Sequence, residues 1–287
     1  MSSSNKNISF AFFGTPPFSV DILDILQQHD LTPNVVVTAP DKPSGRGMKL
    51  SPPPVAQWAQ KRQIPILQPE NINKEFVEKL DELSPDDVWP LFIVVAYGKI
   101  LPAELIYTPT HNTLNLHPSL LPKLRGPAPI RSAILQEKMT GVTIIELDEQ
   151  MDHGPIVAQR EIRTKNWPPS YPDLKNALMI AGGTLLAETI PAWISGSIQT
   201  TTQNDDIATY SQKFSSSDGE INLDDDAERN IRKISAFTDW PKAHFYVEGK
   251  RVLITKAHLE DRELVIDRVK PSGDKEISYK NFIKKNQ

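Results

Sequence analysis

The 287-residue sequence predicts an α/β protein with a mostly parallel sheet, followed by a smaller β-rich domain. Three observations lead to this fold class. Short apolar runs alternate with helical patterns in the first half of the chain, a polar stretch interrupts the chain near residue 200, and short β-type runs dominate the remainder. Alternating strand and helix signals are typical of a parallel sheet with helices on both faces.

Four apolar runs supply the predicted central strands of the first half. They comprise residues 8–13 (ISFAFF), 35–38 (VVVT), 92–96 (FIVVA) and 112–116 (NTLNL). Apolar side chains at helical spacing, such as Phe18, Ile22 and Ile25, predict a helix after the first of these strands. Because proline cannot lie inside a central strand, Pro90 sets the start of the third strand near Leu91.

The remaining elements define the predicted domain boundaries. Strands at 141–147 and 155–162 and a helix over about 171–195 complete a first domain of residues 1–195. Residues 196–206 are polar, contain little that could be buried, and predict a linker. Residues 207–287 form the second domain, with a helix over 224–237 that runs from acidic to basic residues and β-type runs at 243–247 and 251–255.

Composition limits the class of protein. No apolar run approaches the roughly 20 residues that span a bilayer, so an integral membrane protein is not expected. The first residues, MSSSNKNISFAFF, lack the features of a signal peptide. The absence of cysteine excludes disulfides, thiolate metal sites and cysteine nucleophiles, and it fits a cytoplasmic protein.

Charge is distributed unevenly along the chain. The whole chain carries a formal net charge of −4, whereas residues 229–287 contain fourteen Lys and Arg against eight Asp and Glu. A basic terminal domain on an acidic protein is consistent with binding to a polyanion. Solvated lysines on a small domain would give the same count, so this observation leaves both interpretations open.

One segment carries the polar side chains most suited to chemistry. Residues 115–129 (NLHPSLLPKLRGPAP) begin where a buried strand should end, which is where open α/β sheets bind ligands. Asn115 and His117, two residues apart in a strand, share a face. Asp152 lies at another predicted strand end and is placed to face this pair.

An amide, an imidazole and a carboxylate without a nearby nucleophilic Ser or Cys suit direct group transfer. Such a set can polarise a carbonyl, stabilise its oxyanion and move a proton from an attacking amine. Spacing alone leaves a second interpretation open, in which His117 is a structural loop residue. The sequence contains no HExxH or HxxxH pair, no Walker A segment and no GxGxxG, so it predicts no metal and no nucleotide site of these types.

The segment Asn115–Leu116–His117 followed by SLLPKLRG, 37 positions before Asp152, resembles the 10-formyltetrahydrofolate-dependent formyltransferases. The resemblance implies a Rossmann-like catalytic domain in which Asn115, His117 and Asp152 form the catalytic trio. His117 and Asn115 would stabilise the oxyanion, and Asp152 would orient His117 and help the proton transfer. The formyl donor would be 10-formyltetrahydrofolate, and no metal would be required.

Two segments resemble the folate-contacting parts of this family. They are VVAYGKILP (94–102), similar to the strand and turn of the folate pocket, and the loop that follows His117. The resemblance implies folate contacts from nine residues, namely Val95, Ala96, Tyr97, Gly98, Ile100, Ser119, Leu120, Leu121 and Pro122.

A further segment points to the acceptor. APDKPSGRGMKLSPPPV (39–55) resembles the basic loop of those family members that act on tRNA. The resemblance implies that Lys42, Arg46 and Lys49 contact the acceptor stem of initiator methionyl-tRNA, whose methionine would be formylated on its α-amino group for translation initiation. A monomeric, cytoplasmic enzyme without a membrane partner is expected.

The second domain resembles the family's OB-like domain through DWPKAHFYVEGKRVLITKA (239–257). Only HLEDRELVID (258–267) separates this stretch from the terminal motif, so we expect a domain shortened by about two strands.

Three other functions share features with this interpretation. A sugar-nucleotide N-formyltransferase has the same trio and donor but lacks the basic loop. A 10-formyltetrahydrofolate hydrolase would use water as the acceptor. A noncatalytic tRNA-binding protein on the same fold is disfavoured by the intact Asn115, His117 and Asp152.

Overall fold

The computed structural model describes residues 8–44 and 48–285. They belong to two compact units that interleave along the chain. The first comprises Met1–Arg125, Gly141–Glu161 and Leu178–Thr209, and the second comprises Gly126–Thr140, Ile162–Ala177 and Tyr210–Gln287. The sequence-based division into 1–195, 196–206 and 207–287 cuts the chain only twice, and it stays a prediction.

The strands and α-helices of the described residues are numbered here in chain order. Up to the end of the seventh strand they are β1 (Ala11–Gly14), α1 (Pro17–Gln28), β2 (Val35–Val37), β3 (Lys42–Ser44), β4 (Lys49–Ser51), α2 (Pro54–Gln60), β5 (Ile66–Leu67), α3 (Lys74–Asp81), β6 (Phe92–Val95), α4 (Ala103–Ile106) and β7 (Thr113–His117). Beyond it they are α5 (Pro129–Gln136), β8 (Thr140–Glu146), β9 (Ile156–Ile162), α6 (Tyr171–Ile194), α7 (Ala227–Ala236), β10 (His244–Val247), β11 (Lys250–Glu260), β12 (Glu263–Pro271), β13 (Ile277–Ser278) and α8 (Tyr279–Lys285).

The large sheet has seven strands in the order β5-β2-β1-β6-β7-β8-β9. Strands β5, β2, β1, β6 and β7 pair in parallel, and β8 pairs with β7 in the antiparallel sense. Every residue of β1, β2 and β6 is buried, as expected for parallel strands covered on both faces. The predicted mostly parallel sheet is therefore confirmed.

Proline sets the start of the central strand β6 as predicted. The strand begins at Phe92, and the Leu91 carbonyl already accepts a hydrogen bond from the Ala11 amide of β1 at 3.1 Å. Pro90 itself stays outside the ladder. The preceding helix α3 begins at Lys74 because the Asn73 side chain accepts a hydrogen bond from the Phe76 amide at 3.0 Å.

Two glycines of α6 show which face of β7 packs against this helix and which face points away from it. A Cβ added at Gly182 would lie 2.9 Å from Leu116 Cδ2, and one at Gly183 would lie 2.7 Å from Ile25 Cδ1. The helix therefore lies directly against β7, on the side to which Leu116 points. Because side chains alternate along a strand, Asn115 and His117 point to the opposite face.

The same helix corrects an expectation about membrane spans. By length and composition, α6 (Tyr171–Ile194) is apolar enough to cross a membrane, and half of its most apolar window is buried inside the protein. The expectation that no apolar run approaches that length is therefore wrong for α6. A core helix passes the same test, so the finding is weak evidence for a span.

The small sheet of the second unit has four antiparallel strands in the order β10-β11-β12-β13. The residues HLEDRELVID form a hairpin there: β11 runs to Glu260, and Asp261 and Arg262 turn with φ of +49° and +69° before β12 begins. OB folds have five strands, so this sheet of four strands is one strand short of an OB fold, where a shortening by about two strands was expected. In the described part of the chain, no pairing closes β10 onto β13.

Helix α7 is shorter than the predicted span of 224–237. It begins at Ala227 because Asp226 is the N-cap, its carboxylate accepting a hydrogen bond from the Arg229 amide at 2.8 Å. The apolar side of α7 contributes to the core of the second unit. The buried residues of this core are Ile221, Ile234, Ala243, Phe245, Val252, Ile254, Val269 and Phe282.

Candidate active site

Strand β7 carries the first two predicted catalytic residues on its free face. Asn115 lies opposite Val94 of β6 and Ile145 of β8, and His117 lies opposite Thr143. The sheet covers the backbone of β7 on both edges, so the two side chains are held by a rigid strand. Asn115 is partly exposed, whereas His117 is 4% exposed.

The Asn115 amide is available to a ligand. In residues 8–44 and 48–285, its side chain makes no hydrogen bond to the protein. A carboxamide has two N–H donors, and a partly buried one gains most from a partner that accepts. Asn115 can therefore donate to an oxygen placed over the free face of β7.

His117 lies between two acceptors. Its Nε2 is 3.0 Å from the Leu124 carbonyl oxygen, and its Nδ1 is 3.5 Å from Asp152 Oδ1. A carbonyl can only accept, so Nε2 carries a proton. A distance of 3.5 Å is long for a hydrogen bond. His117 can therefore donate to a third group only after releasing Leu124 or rotating away from Asp152.

Asp152 belongs to a tight turn between β8 and β9. Its φ is +52°, and 15% of its side chain is exposed. The backbone of the turn is packed against the end of β8, because a Cβ added at Gly154 would overlap the Glu146 carbonyl oxygen. The packed turn therefore fixes the position of the Asp152 carboxylate beside His117.

A second carboxylate–imidazole pair stiffens this turn. Asp148 accepts hydrogen bonds from the Gln150 amide at 2.9 Å and from His153 Nδ1 at 2.6 Å. The hydrogen bond to Asp148 raises the pKa of His153, and the charges of Asp148 and Asp205 act in the same direction. The sequence neighbour of Asp152 therefore braces the turn through its hydrogen bond to Asp148.

The predicted folate segment at the end of β6 divides into buried and accessible residues. Val95 and Tyr97 are buried, and burial raises the pKa of Tyr97 to about 12. Their carbonyls accept hydrogen bonds from Ser19 Oγ at 2.7 Å and Thr15 Oγ1 at 3.1 Å. The accessible residues of the segment are Ala96, Gly98 and Ile100.

The loop after His117 divides in the same way. Ser119 is fully buried, and its hydroxyl donates to the Lys123 carbonyl at 2.6 Å. Leu121 is buried as well, whereas Leu120 and Pro122 are partly exposed. Of the four predicted folate contacts in this loop, only Leu120 and Pro122 offer side chains to a ligand.

Two residues that the sequence analysis missed hold this loop. Thr143 Oγ1 donates to the Ser119 carbonyl at 2.7 Å and accepts from the Leu121 amide at 3.1 Å. Gln159 Nε2 donates to the Leu121 carbonyl at 2.9 Å and to Thr143 Oγ1 at 2.8 Å. Both residues are polar positions inside β8 and β9, and an isolated polar residue in a strand gave no signal of this role.

The predicted linker also takes part in the site. Gln203 is 8% exposed, and its amide donates to the backbone carbonyls of Asp152 and Gly154. The expectation that residues 196–206 have little to bury is therefore wrong at Gln203. A single glutamine in a polar stretch carries no sequence signal for such a contact.

Two of the three predicted tRNA-contacting residues, Lys42 and Lys49, lie on a separate two-stranded hairpin. Lys42 in β3 is opposite Ser51, and Lys49 in β4 is opposite Ser44. Both lysines are exposed. Arg46 lies outside the described residues. The hairpin thus presents basic side chains at its surface, as a phosphate-contacting loop requires.

Between residues 8 and 44 and between 48 and 285, no three His, Asp or Glu side chains are grouped so that they could hold a metal ion.

Two family models cover most of the chain. The model described as "Formyl transferase" matches residues 6–190, and "Formyl transferase, C-terminal domain" matches residues 213–264. The chain belongs to the formyl transferase family. The family predicted from residues 115–126 and Asp152 is therefore confirmed, and with it the prediction that the chain is an enzyme.

Relatives within the formyl transferase family carry a more specific name. "Methionyl-tRNA formyltransferase" of Halalkalibacterium halodurans is 41% identical over 249 residues, covering 86% of this chain and 77% of the relative. The protein of the same name from Thermodesulfovibrio yellowstonii is 36% identical over 295 residues, covering 95% of this chain and 94% of the relative.

A solved structure agrees in fold. The N-formyltransferase from Helicobacter canadensis, described in complex with folinic acid and dTDP-3-aminofucose, has a TM-score of 0.67. It is 19% identical, and the match covers 95% of this chain and 99% of that one. At this identity the likeness supports the formyl transferase fold and says nothing about the acceptor.

Proposed function

We propose that the chain transfers the formyl group of 10-formyltetrahydrofolate to the α-amino group of methionine on initiator methionyl-tRNA, a step of translation initiation. The observation that carries this proposal is the placement of Asn115, His117 and Asp152 at one end of β7. The two methionyl-tRNA formyltransferases at 41% and 36% identity support this choice of acceptor.

Asn115 is the proposed donor to the formyl oxygen. When the amine attacks, negative charge develops on that oxygen, and an amide N–H already aimed at it stabilises the charge without reorganisation. Asn115 suits this role because its amide is committed to no hydrogen bond within the described residues.

His117 and Asp152 are the proposed proton-handling pair. The attacking nitrogen must lose a proton as its bond to the formyl carbon forms and the bond from that carbon to N10 breaks. Asp152 is the more exposed member, at 15% against 5% for the His117 side chain, and it accepts that proton. His117 lies beside this carboxylate and, once its Nε2 releases the Leu124 carbonyl, joins Asn115 in stabilising the oxyanion, while the proton passes from Asp152 to N10.

The accessible residues beside the trio fit a flat, partly apolar cosubstrate. In the part of the chain that the structure describes, and leaving out the two chain neighbours, nothing lies within 4 Å of the position of a Cβ at Gly98. The φ of Gly98 is +85°, and the backbone there can be approached closely. Ile100 is 92% exposed, and Leu120 and Pro122 are partly exposed. We assign folate contacts to these residues and to Ala96. The folate supplies the formyl group, and no metal is part of the proposal.

The tRNA acceptor is assigned to two basic surfaces. Lys42, Lys49 and Arg46 belong to the loop that resembles the tRNA-contacting loop of the family. The terminal residues 229–287 carry six more positive than negative charges, which suits a phosphate backbone. We therefore assign tRNA binding to the predicted second domain, residues 207–287, with residues 1–195 as the catalytic domain.

The setting of the reaction follows from its substrates. All three candidate catalytic residues belong to one chain, so we propose that a monomer suffices. Charged tRNA and folate are dissolved components of the cytoplasm, so we propose that the enzyme acts there and without a membrane partner.

The test measures formyl transfer from 10-formyltetrahydrofolate to three acceptors in parallel. They are methionyl-initiator tRNA, uncharged initiator tRNA and a 4-amino-4-deoxy sugar nucleotide. Transfer to the charged tRNA only is the expected result. Transfer to the sugar nucleotide only would instead establish the second candidate, a sugar N-formyltransferase. Formate release without an acceptor would indicate a hydrolase.

A further inference from the structure

We propose that Arg125 and Gln203 are positioning residues that fix both partners of His117 through one segment of the chain, residues 201–209, here named the strap. This inference rests on the proposed function, because it concerns the geometry of the proposed proton-handling pair. Neither residue touches the reacting groups in this assignment. Each acts through the backbone that holds Asp152 or Leu124 beside the His117 ring.

Gln203 binds the turn that carries Asp152. Its Nε2 donates to the Asp152 carbonyl at 2.9 Å and to the Gly154 carbonyl at 2.8 Å. These two contacts use both N–H groups of the amide. One of them is to Asp152 itself, whose φ is +52°, so the pair of contacts stabilises a turn whose backbone conformation an L-residue rarely adopts.

Arg125 binds the oxygen of the same Gln203 amide. Its Nε and Nη2 donate to Gln203 Oε1 at 3.1 and 2.9 Å, and Nη2 also donates to Asp205 Oδ1 at 2.8 Å. Arg125 is 2% exposed, so this guanidinium is buried against the strap. Because the arginine fork can only donate, it forces Oε1 toward itself and Nε2 toward Asp152.

The far end of the strap holds the second partner of His117. Thr209 Oγ1 accepts a hydrogen bond from the Leu124 amide at 2.9 Å, and the Thr209 carbonyl accepts one from the Arg125 amide at 2.9 Å. The Leu124 carbonyl is the group that His117 Nε2 contacts. The loop that carries Leu124 and the turn that carries Asp152 are therefore both tied to one nine-residue segment.

The near end of the strap is anchored independently. Thr201 and Ile156 of β9 exchange two backbone hydrogen bonds of 2.8 Å. This anchor leaves the strap in place when the Gln203 side chain is changed. A substitution at Gln203 should therefore release the Asp152 turn without detaching the strap from the sheet.

The contacts require glutamine in particular. Methionine has a similar volume, but it removes the amide that donates to the Asp152 and Gly154 carbonyls and the oxygen that Arg125 Nε and Nη2 contact. Glutamate keeps the pairing with Arg125 but loses both donors, and it sets a carboxylate against the carbonyls of Asp152 and Gly154. Either change should displace Asp152 relative to His117, and a displacement of 1 Å costs about 100-fold in rate.

The experiment compares Gln203→Met and Gln203→Glu with Asn204→Ala in the full-length enzyme. Asn204 follows Gln203 in the strap. Among the described residues, its side chain accepts a hydrogen bond only from the exposed Asp206 amide, at 3.0 Å. Asn204→Ala is therefore the matched control. Two properties are measured: kcat and KM for folate and for methionyl-tRNA, and the imidazole ¹H and ¹⁵N resonances of His117, assigned with His117→Gln.

Both Gln203 variants should lower kcat by tenfold or more, change each KM by less than twofold, and shift the His117 resonances, whereas Asn204→Ala should change none of these. The resonances need no substrate, so they test the positioning even if the wild-type enzyme formylates nothing. In that case the missing formylation would overturn the proposed function, and shifted resonances would still support the positioning role of the strap.

Unchanged His117 resonances together with kcat within threefold of wild type would overturn the positioning proposal. If Gln203→Met does not fold, Gln203→Glu, which retains the Arg125 pairing, decides the question by the same two measurements. A rise in KM with unchanged kcat would also contradict the proposal, because it would place Gln203 in substrate binding.

Discussion

Replacing Asn115 by alanine separates a catalytic role of this side chain from a structural one. The Asn115 amide is partly exposed and, among the described residues, donates to no protein group, so its removal leaves no partner unsatisfied. The free energy of unfolding should therefore change by less than about 0.5 kcal/mol. Loss of one oxyanion donor raises the barrier by about 2.7–4 kcal/mol, which predicts a kcat about 10²–10³ lower.

Asn112→Ala, at the residue just before the same strand, is the matched control. Asn112 precedes β7 with φ of +55°, and its Nδ2 donates to Glu146 Oε1 at 2.5 Å. A hydrogen bond to a charged group contributes about 1.5–3 kcal/mol, and alanine tolerates the left-handed conformation less well than asparagine. Since about 1 kcal/mol corresponds to roughly 2–4 °C in a chain of this size, Tm should fall by several degrees while kcat stays near wild type.

The two variants should therefore give opposite results in two assays. Single-turnover formylation of methionyl-initiator tRNA with saturating 10-formyltetrahydrofolate reports the chemical step, and thermal unfolding followed by circular dichroism reports stability. A rate for Asn115→Ala within tenfold of wild type would refute its assignment as the oxyanion donor. If Asn115→Ala lowered Tm as much as Asn112→Ala does, the inference that the Asn115 amide has no protein partner among the described residues would be refuted.

Three further predictions concern the turn and the basic hairpin. Gly154→Ala should lower Tm and kcat, because the alanine Cβ would overlap a carbonyl oxygen of β8. A displacement of the turn by 1 Å should lower kcat by about 100-fold. A wild-type rate would show that the turn accommodates the methyl group without moving Asp152. The hydrogen bond to Asp148 raises the pKa of His153, so this pair stabilises most below about pH 6.5 and loses its effect as pH rises through the raised value. Asp148→Asn should then lower Tm more at about pH 5.5 than at about pH 8.5, and equal losses would contradict the pairing. Lys42→Ala and Lys49→Ala should each reduce the salt dependence of tRNA binding, measured as the slope of log Kd against log salt, by roughly 0.7–0.9; an unchanged slope would remove that lysine from the interface.

The central strands could be predicted because burial on both faces leaves a continuous apolar run. Strands β1, β2 and β6 have this property, and their predicted and observed positions agree within three residues. The β11–β12 hairpin could not be predicted in the same way. Its residues 255–263 are mostly exposed, so neither an apolar run nor a clear alternation marks them as strands.

In the candidate site, too, some features could be predicted from the sequence and others could not. The pairing of Asn115 with His117 follows from alternation along one strand, which is a local property. The positions of Asp152 and Leu124 beside the imidazole depend on two other loops. The first was indicated by its place at a predicted strand end and by the family resemblance, and the second by neither. Gln203 could not be found from sequence, because its contacts to Asp152 and Gly154 reach back 51 and 49 residues and depend on a carbonyl geometry that no residue pattern encodes.

The division of β7 between its two faces explains why stability and activity should respond to different substitutions. Leu116 is fixed against Gly182 of α6, so a larger side chain at Gly182 would push on the core and lower Tm first. On the other face His117 contacts Leu124 and Asp152, which belong to loops, and the strap holds both of these loops. Small shifts of the loops should therefore leave the core intact while moving Asp152 away from His117, so that the rate falls before the fold is lost.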